Sequence, residues 1–389
     1  MNQLTVEQRV RVAAALADGV SMRGVERLTG ATRKTVGSLL LRLGDGCALL
    51  HASMMRDLTA DVIECDEVWA FVGVKEGHRG ERHPEEFGDA YTYVAIDATS
   101  RTVISHLTDK RTTAAATAFT RDIRARVLGR PQITTDGLLS YEAAIEDAFG
   151  TRVHYAKNLK TYALDESGGA SRDDVRYSRG RCVASQKVTM VGSPDPARVT
   201  TAHVERNNLT SRMWCRRLTR LTTCFSRRLV FLRSAMAWHF AVYNFVRVSA
   251  ALRVTPAMQL GVTDHVWSME ELVTAALEAP RGEPPAVPPP TPPSTAAEAG
   301  AVIRAERRRE RRQTARSHER AEHAMREARE PRATAAAPTW SQGRFDLAGE
   351  REPIADENER EGRDDGAGGI APRELPEPPD AASDFRWMW

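Results

Sequence analysis

A chain of 389 residues, 41% hydrophobic and 28% charged, is long enough for two or three domains with a sizeable core and leaves room for an unfolded portion. Its net charge of +3 excludes polyanion binding by overall charge, so any nucleic-acid contact must come from local basic clusters. Five scattered cysteines (Cys47, Cys65, Cys182, Cys215, Cys224) without a CxxC pair exclude a disulfide framework and a zinc ribbon, and point to a reducing, cytoplasmic compartment.

The N-terminal segment carries Glu7, Arg9 and Arg11, which break any apolar run of the signal-peptide kind. Over residues 5–45 the apolar spacing predicts three short helices, with Val10, Ala13, Ala14 and Val20 on the first, Val25 and Leu28 on the second, and Val36, Leu39, Leu40 and Leu43 on the third. Gly30 and Ala31 supply a tight turn, and Thr32 caps a third helix that presents Arg33, Lys34, Ser38 and Arg42 outward. This is the pattern of an all-α helix-turn-helix domain, assigned to residues 1–50, whose third helix meets phosphates and base edges in a major groove.

From about Asp57 the period changes to that of strands: residues 62–66, 91–96 and 102–107, the last two joined by a turn beginning at Asp97. An Ala-rich helix over 113–127, a strand over 132–135 ending at Asp136, a helix over 139–149 and a strand over 152–155 follow. The order βββαβαβ predicts an α/β, ribonuclease H-like sheet, and the domain is drawn over residues 57–279. Residues 156–200, rich in Gly, Ser, Asp and Arg, read as a long loop or insertion. Helices resume near His203. The stretch Leu229 to Val246 is apolar, but Arg233, His239 and Asn244 argue for a buried helix over a membrane span. Another short helix covers Met269 to Leu277, and residues 280–389 read as a Pro-rich linker, a charged segment and a disordered tail.

Asp66 follows one apolar strand and Asp136 ends another, so both carboxylates project near the middle of the proposed sheet. Between Arg198 and Arg233, Glu205 is the only acidic residue among nine arginines, as expected of a metal ligand facing a polyanion or of an arginine's ion-pair partner. Arg206 adjoins it; Arg212, Arg216 and Arg220 recur every fourth residue as a basic stripe, with Leu209, Met213 and Leu218 as an inward apolar one. Three carboxylates suit Mg²⁺ or Mn²⁺, two ions about 4 Å apart serving an in-line phosphoryl transfer. No covalent nucleophile is then needed, and Tyr141 is left to pack beside the site. Glu64 shares the strand face of Asp66 and is the rival ligand, whereas Glu67 is expected on the opposite face in a supporting role. Asp97 is assigned to the hairpin turn, and His203 either contacts DNA or caps its helix.

Three blocks carry a family resemblance: Ile63 to Gly73 (IECDEVWAFVG), Thr135 to Glu142 (TDGLLSYE), and His203 to Leu209 (HVERNNL) with Arg217-Leu218 and Cys224-Phe225-Ser226. Their content and order over residues 1–250 resemble the insertion-sequence-one (InsB-type) DDE transposases. The resemblance implies a catalytic and metal-holding triad of Asp66, Asp136 and Glu205. It also implies binding of double-stranded DNA at terminal inverted repeats, strand transfer into target DNA, and at least a dimer when two ends are synapsed. The segment Lys75 to Asp89 and residues 156–200 are longer than the family pattern. An alternative is a transposase-derived DNA-binding protein that has lost its chemistry.

Overall fold

A computed structural model describes residues 4–163, 181–220 and 222–279; the expected linker, charged segment and tail lie outside the described residues. Helix α1 (Val6–Ala17) starts at a capping box in which Thr5 and Gln8 exchange side-chain and backbone hydrogen bonds. Helix α2 (Met22–Thr29) is capped by Ser21 and stops at Gly30, whose φ of 74° is left-handed. Thr32 then caps α3 (Arg33–Met54) by accepting from the Thr35 N–H.

Helix α3 runs well past the end expected near residue 45. Gly44 and Gly46, inside this helix, are its close crossing points. A Cβ on Gly44 would sit 2.3 Å from the Ser234 Cβ, and one on Gly46 1.7 Å from the Ala276 carbonyl oxygen. The glycines thus let two later helices approach its backbone, and the buried residues of α1 to α3 join one hydrophobic core with those of the sheet.

Six strands form one sheet in the order β3-β2-β1-β4-β5-β6. They are β1 (Val62–Val72), β2 (Gly88–Asp97), β3 (Val103–Asp109), β4 (Gln132–Thr135), β5 (His154–Ala163) and β6 (Arg181–Val191). The first three form an antiparallel meander, β4 and β5 run parallel to β1, and β6 returns antiparallel. This mixed sheet fits a ribonuclease H-like domain. At the β2–β3 corner Asp97 accepts from the Ser100 N–H at 2.7 Å, the turn role expected of it.

Strand β6 and most of β5 lie where a loop was expected over 156–200. The side chains of residues 182–187 are exposed, so this edge strand is held by its ladder and lacks the apolar alternation that marks a half-buried strand.

Helices α4 (Thr113–Arg126) and α5 (Ser140–Phe149) cover one sheet face, where Tyr93, Phe119 and Tyr141 form an aromatic cluster. Helices α6 (Ala202–Trp214) and α7 (Leu229–Ala241) cover the other, with His106 of β3 packed on Phe240. The span Leu229–Val246 is long and apolar enough to cross a membrane, but it lies mostly inside the fold, as expected of a core helix. Helix α8 (Pro256–Gln259) and α9 (Met269–Glu278) complete the described residues, α9 packing on α3.

Candidate functional site

Parallel pairing of β1 with β4 sets Cys65 beside Thr135, the last residue of β4. The next residue of each strand is an aspartate, so Asp66 and Asp136 meet at the point where the ladder opens. Asp136 Oδ1 accepts from the Leu138 N–H at 2.9 Å, which fixes its turn. Asp66, Glu67 and Asp136 each offer a carboxylate oxygen, all within 4.8 Å of one another.

Glu67 is the departure from expectation. It does occupy the opposite face, where its Oε2 accepts from Arg111 Nη2 at 2.8 Å and it lies near the Tyr141 hydroxyl. Because β4 stops at Thr135, the neighbouring edge of β1 is open, and the longer glutamate side chain reaches Asp66 and Asp136 around it. Its side chain is 2% exposed. A buried carboxylate next to two aspartates, with the Tyr141 hydroxyl near it, is an oxygen-only donor set that fits a hard divalent cation.

Electrostatics agree with that donor set. Burial, and after it the charge of Asp136, push the Asp66 carboxyl up to about 7. Burial also raises Glu67, against the pull of the Tyr141 hydroxyl. Tyr141 itself is fully buried in the aromatic cluster, and burial holds its hydroxyl far above its usual range, so it packs beside the site as expected.

Glu64 does not join this cluster. It is wholly buried, and its two oxygens take the His203 N–H at 2.8 Å, the Val204 N–H at 3.0 Å and His203 Nδ1 at 2.6 Å. It therefore anchors the first turn of α6 to β1, and His203 is a partner in that anchor. Burial pushes the Glu64 carboxyl up to about 7, against the Val204 N–H.

Glu205 lies in the first turn of α6, but in this arrangement its Oε1 accepts from Lys160 Nζ at 2.5 Å and from the Thr201 hydroxyl at 2.8 Å. The structure thus brings Asp66 and Asp136 together and holds Glu205, 42% exposed, in an ion pair outside the tight cluster. Its charge still raises Asp66, so the two are electrostatic neighbours. Sequence reasoning missed Asn208, whose Nδ2 donates to Asp66 Oδ2 at 2.8 Å. Asn208 follows Glu205 by three residues and so lies near it around the helix, a spacing that marks it in retrospect. It also missed Lys160, which sits on a strand read as loop.

The inward face of α6 is polar: Asn207, Asn208 and Ser211 are buried with Val204, and Ser211 meets His239 Nε2 at 3.0 Å. Leu209 and Met213, expected inside, are 47% and 49% exposed. Hydrogen bonds to Asp66 and His239 set the rotation of this helix, overriding the apolar stripe. The expected stripe Arg212, Arg216 and Arg220 is likewise not one helical face. Helix α6 ends at Trp214, residues 216–218 form a 3₁₀ turn, and the Thr219 hydroxyl donates to the Arg212 carbonyl as buried Cys215 and Leu218 draw the chain inward. Arg206, Arg216 and Arg220 are exposed, and Arg212 is half-buried. On α3, Arg33, Lys34, Ser38 and Arg42 are all exposed, Arg33 paired with Glu26 at 3.0 Å.

Residues 87–180 match a family described as a DDE domain (DDE_Tnp_IS240), a stretch that contains Asp136 but neither Asp66 nor Glu205. No curated protein matches the chain. Among solved structures, a piggyBac transposase synaptic complex with hairpin DNA is similar at 11% identity and a TM-score of 0.24, over 62% of this chain and 60% of that one. A pre-cleavage Mos1 transpososome is similar at 12% identity and a TM-score of 0.16, over 62% of this chain and 80% of that one. The chain thus spans less than two thirds of the piggyBac chain it matches.

Proposed function

We propose that this chain, a DDE transposase and hence a polynucleotidyl transferase by the DDE domain it carries, cuts and rejoins DNA at an acidic centre of Asp66, Asp136 and Glu205. The observation that carries the reading is the meeting of Asp66 and Asp136 at the open end of the β1–β4 ladder, with the buried Glu67 carboxylate beside them. A bound Mg²⁺ or Mn²⁺, one ion or two, supplies Lewis acidity to the attacking and leaving oxygens of a phosphodiester.

The chain's own residues do the rest. Asn208 donates to one Asp66 oxygen and fixes how the carboxylate presents the other. Glu64 holds the helix that carries Glu205 against the strand that carries Asp66. Lys160 balances the Glu205 charge. Arg206, Arg216 and Arg220, which are exposed, and the half-buried Arg212 offer positive charge to the DNA backbone. Helices α2 and α3, joined at Gly30, act as a helix-turn-helix in which Arg33, Lys34, Ser38 and Arg42 meet the element's terminal inverted repeat.

The three sequence blocks support the finer assignment to the insertion-sequence-one type, while the matched family supports the broader one. Joining two ends requires two copies of the site, so the working form is at least a dimer on DNA. All five cysteines are free, in keeping with a reducing cytoplasm around the nucleoid. A second reading, a DNA-binding descendant without chemistry, is favoured by one observation, the engagement of Glu205 by Lys160.

The experiment is an incubation of the protein with labelled DNA carrying the flanking inverted repeat, in Mg²⁺ or Mn²⁺ and in EDTA. Metal-dependent 3′-end cleavage and joined product are expected. Binding without cleavage in either metal supports the second reading instead.

A further inference from the structure

A cleft of about 730 Å³ opens between the N-terminal helices and the segment that follows α6. Six arginines line it, Arg23, Arg27, Arg33, Arg216, Arg217 and Arg227, and no Asp or Glu does. Arg33 is neutralised by Glu26, and Arg217 is half-buried, donating to the Ser226 hydroxyl and lying over the Phe231 ring. The remaining four are exposed and have no carboxylate partner among the described residues. Four unbalanced guanidinium groups around one cavity constitute a site for a polyanion.

The interior of the cleft is not shaped for phosphate alone. Trp214, Phe225 and Phe231 line it as half-buried rings, Trp214 backed by the Arg247 guanidinium at 3.8 Å and Phe225 by the Phe71 ring at 4.7 Å, and the buried Trp238 lies among them. Half-buried aromatic rings, each backed on one side, suit a flat heteroaromatic ring stacked on the other. The volume is that of a pocket for a small organic ligand. A duplex keeps its bases stacked and offers a protein surface mainly phosphates, so it uses the arginines and leaves the rings unused.

We propose that the cleft takes an unpaired nucleotide of the DNA, its base among Trp214, Phe225 and Phe231 and its flanking phosphates on Arg23, Arg27, Arg216 and Arg227. The placement rests on the transposase reading above. Arg23 and Arg27 belong to α2 of the helix-turn-helix, and Arg216 lies just past the C-terminal end of α6, whose first turn carries Glu205, so the cleft is bounded by the N-terminal helices on one side and by the end of the Glu205 helix on the other. Unstacking a base there separates the strand to be cut from its complement, and aromatic side chains replace the stacking that is lost.

The test uses the full-length protein in EDTA, with an eight-nucleotide thymidine oligomer carrying a central 2-aminopurine and, for comparison, a blunt duplex that ends in the inverted repeat. The oligomer is expected to bind with quenching of the 2-aminopurine. Arg23→Ala with Arg27→Ala, both at exposed positions, is expected to weaken that binding about tenfold and to flatten its salt dependence by about 1.4 in log–log slope. Phe231→Leu is expected to abolish most of the quenching while duplex binding stays as in the wild type. Asp136→Ala, which removes cleavage under the transposase reading, is expected to bind and quench normally, so a failure of that reading leaves this result standing. The proposal is overturned if the wild type does not bind the oligomer, if the arginine variant binds the oligomer as tightly as the wild type, or if quenching survives in a Phe231→Leu protein that melts like the wild type.

Discussion

Glu64, the third residue of β1, caps α6 from outside the helix by accepting from the backbone N–H of both His203 and Val204. The strand that supplies Asp66 thereby fixes the position of the helix that supplies Glu205 and Asn208. A carboxylate at a helix N-terminus is favoured by the helix dipole, and here it also satisfies donors that burial has removed from water. Glu64→Ala is expected to cost about 2–4 kcal/mol of stability and to abolish cleavage, because two buried donors lose their acceptor. Glu64→Gln keeps one carbonyl oxygen and is expected to cost less. Urea unfolding of the three proteins measures the difference, and equal stability of all three contradicts the anchoring role.

Asp66 makes metal uptake pH-dependent. Its carboxyl is raised to about 7 in the folded chain, chiefly by burial, so the metal-free native state holds a proton that the unfolded state has already lost. The sign follows: this group's contribution to metal-free stability falls as pH rises from about 4 to about 7. A cation must displace the same proton, so apparent Mn²⁺ affinity is expected to rise toward pH 7 and level off above it. Calorimetric titration at pH 6 and pH 8 tests this, and equal affinities contradict it.

Glu67 is expected to matter for the cation as well as for Arg111. Glu67→Gln is expected to weaken Mn²⁺ binding about tenfold, the order of effect seen when a group supporting a metal site is removed. Were its only work the ion pair with Arg111, thermal stability would drop and Mn²⁺ affinity would stay unchanged.

The crossing of α3 with α9 allows a prediction about architecture. A Cβ at position 46 would lie 1.7 Å from the Ala276 carbonyl oxygen, backbone that cannot turn aside. Gly46→Ala is expected to destabilise by about 3 kcal/mol or more, at the upper end of overpacking costs, and to lower the melting of the whole described fold cooperatively. Loss of helical signal at the N-terminus alone, with the sheet melting unchanged, contradicts a shared core.

Much of this was legible in the sequence where burial leaves a mark. Strand β4 and the first residues of β1 are buried although several of them are polar, and Asp66 and Asp136 stand just past the end of the stretch over which the two strands pair, near the middle of the sheet. Strand β6 was not legible, since an exposed edge strand buries too little for alternation to appear. The rotation of α6 was misread for the opposite reason: its packed face is Asn207, Asn208 and Ser211, so hydrophobicity pointed to Leu209 and Met213. Glu67 needed the three-dimensional fact that β4 stops one residue short of Asp136, which no strand-alternation rule contains.

The most direct test of the acidic centre is strand cleavage of an end-bearing duplex in Mg²⁺ by Asp66→Asn, Asp136→Asn and Glu205→Gln, each shown by gel shift to bind that duplex like the wild type. The three substitutions remove charge and keep shape, so loss of cleavage by at least about 100-fold in each, with binding intact, is the result the centre requires. Cleavage at the wild-type rate by Asp66→Asn or Asp136→Asn would contradict it. The same result from Glu205→Gln would leave the aspartates in place and remove the glutamate from the triad.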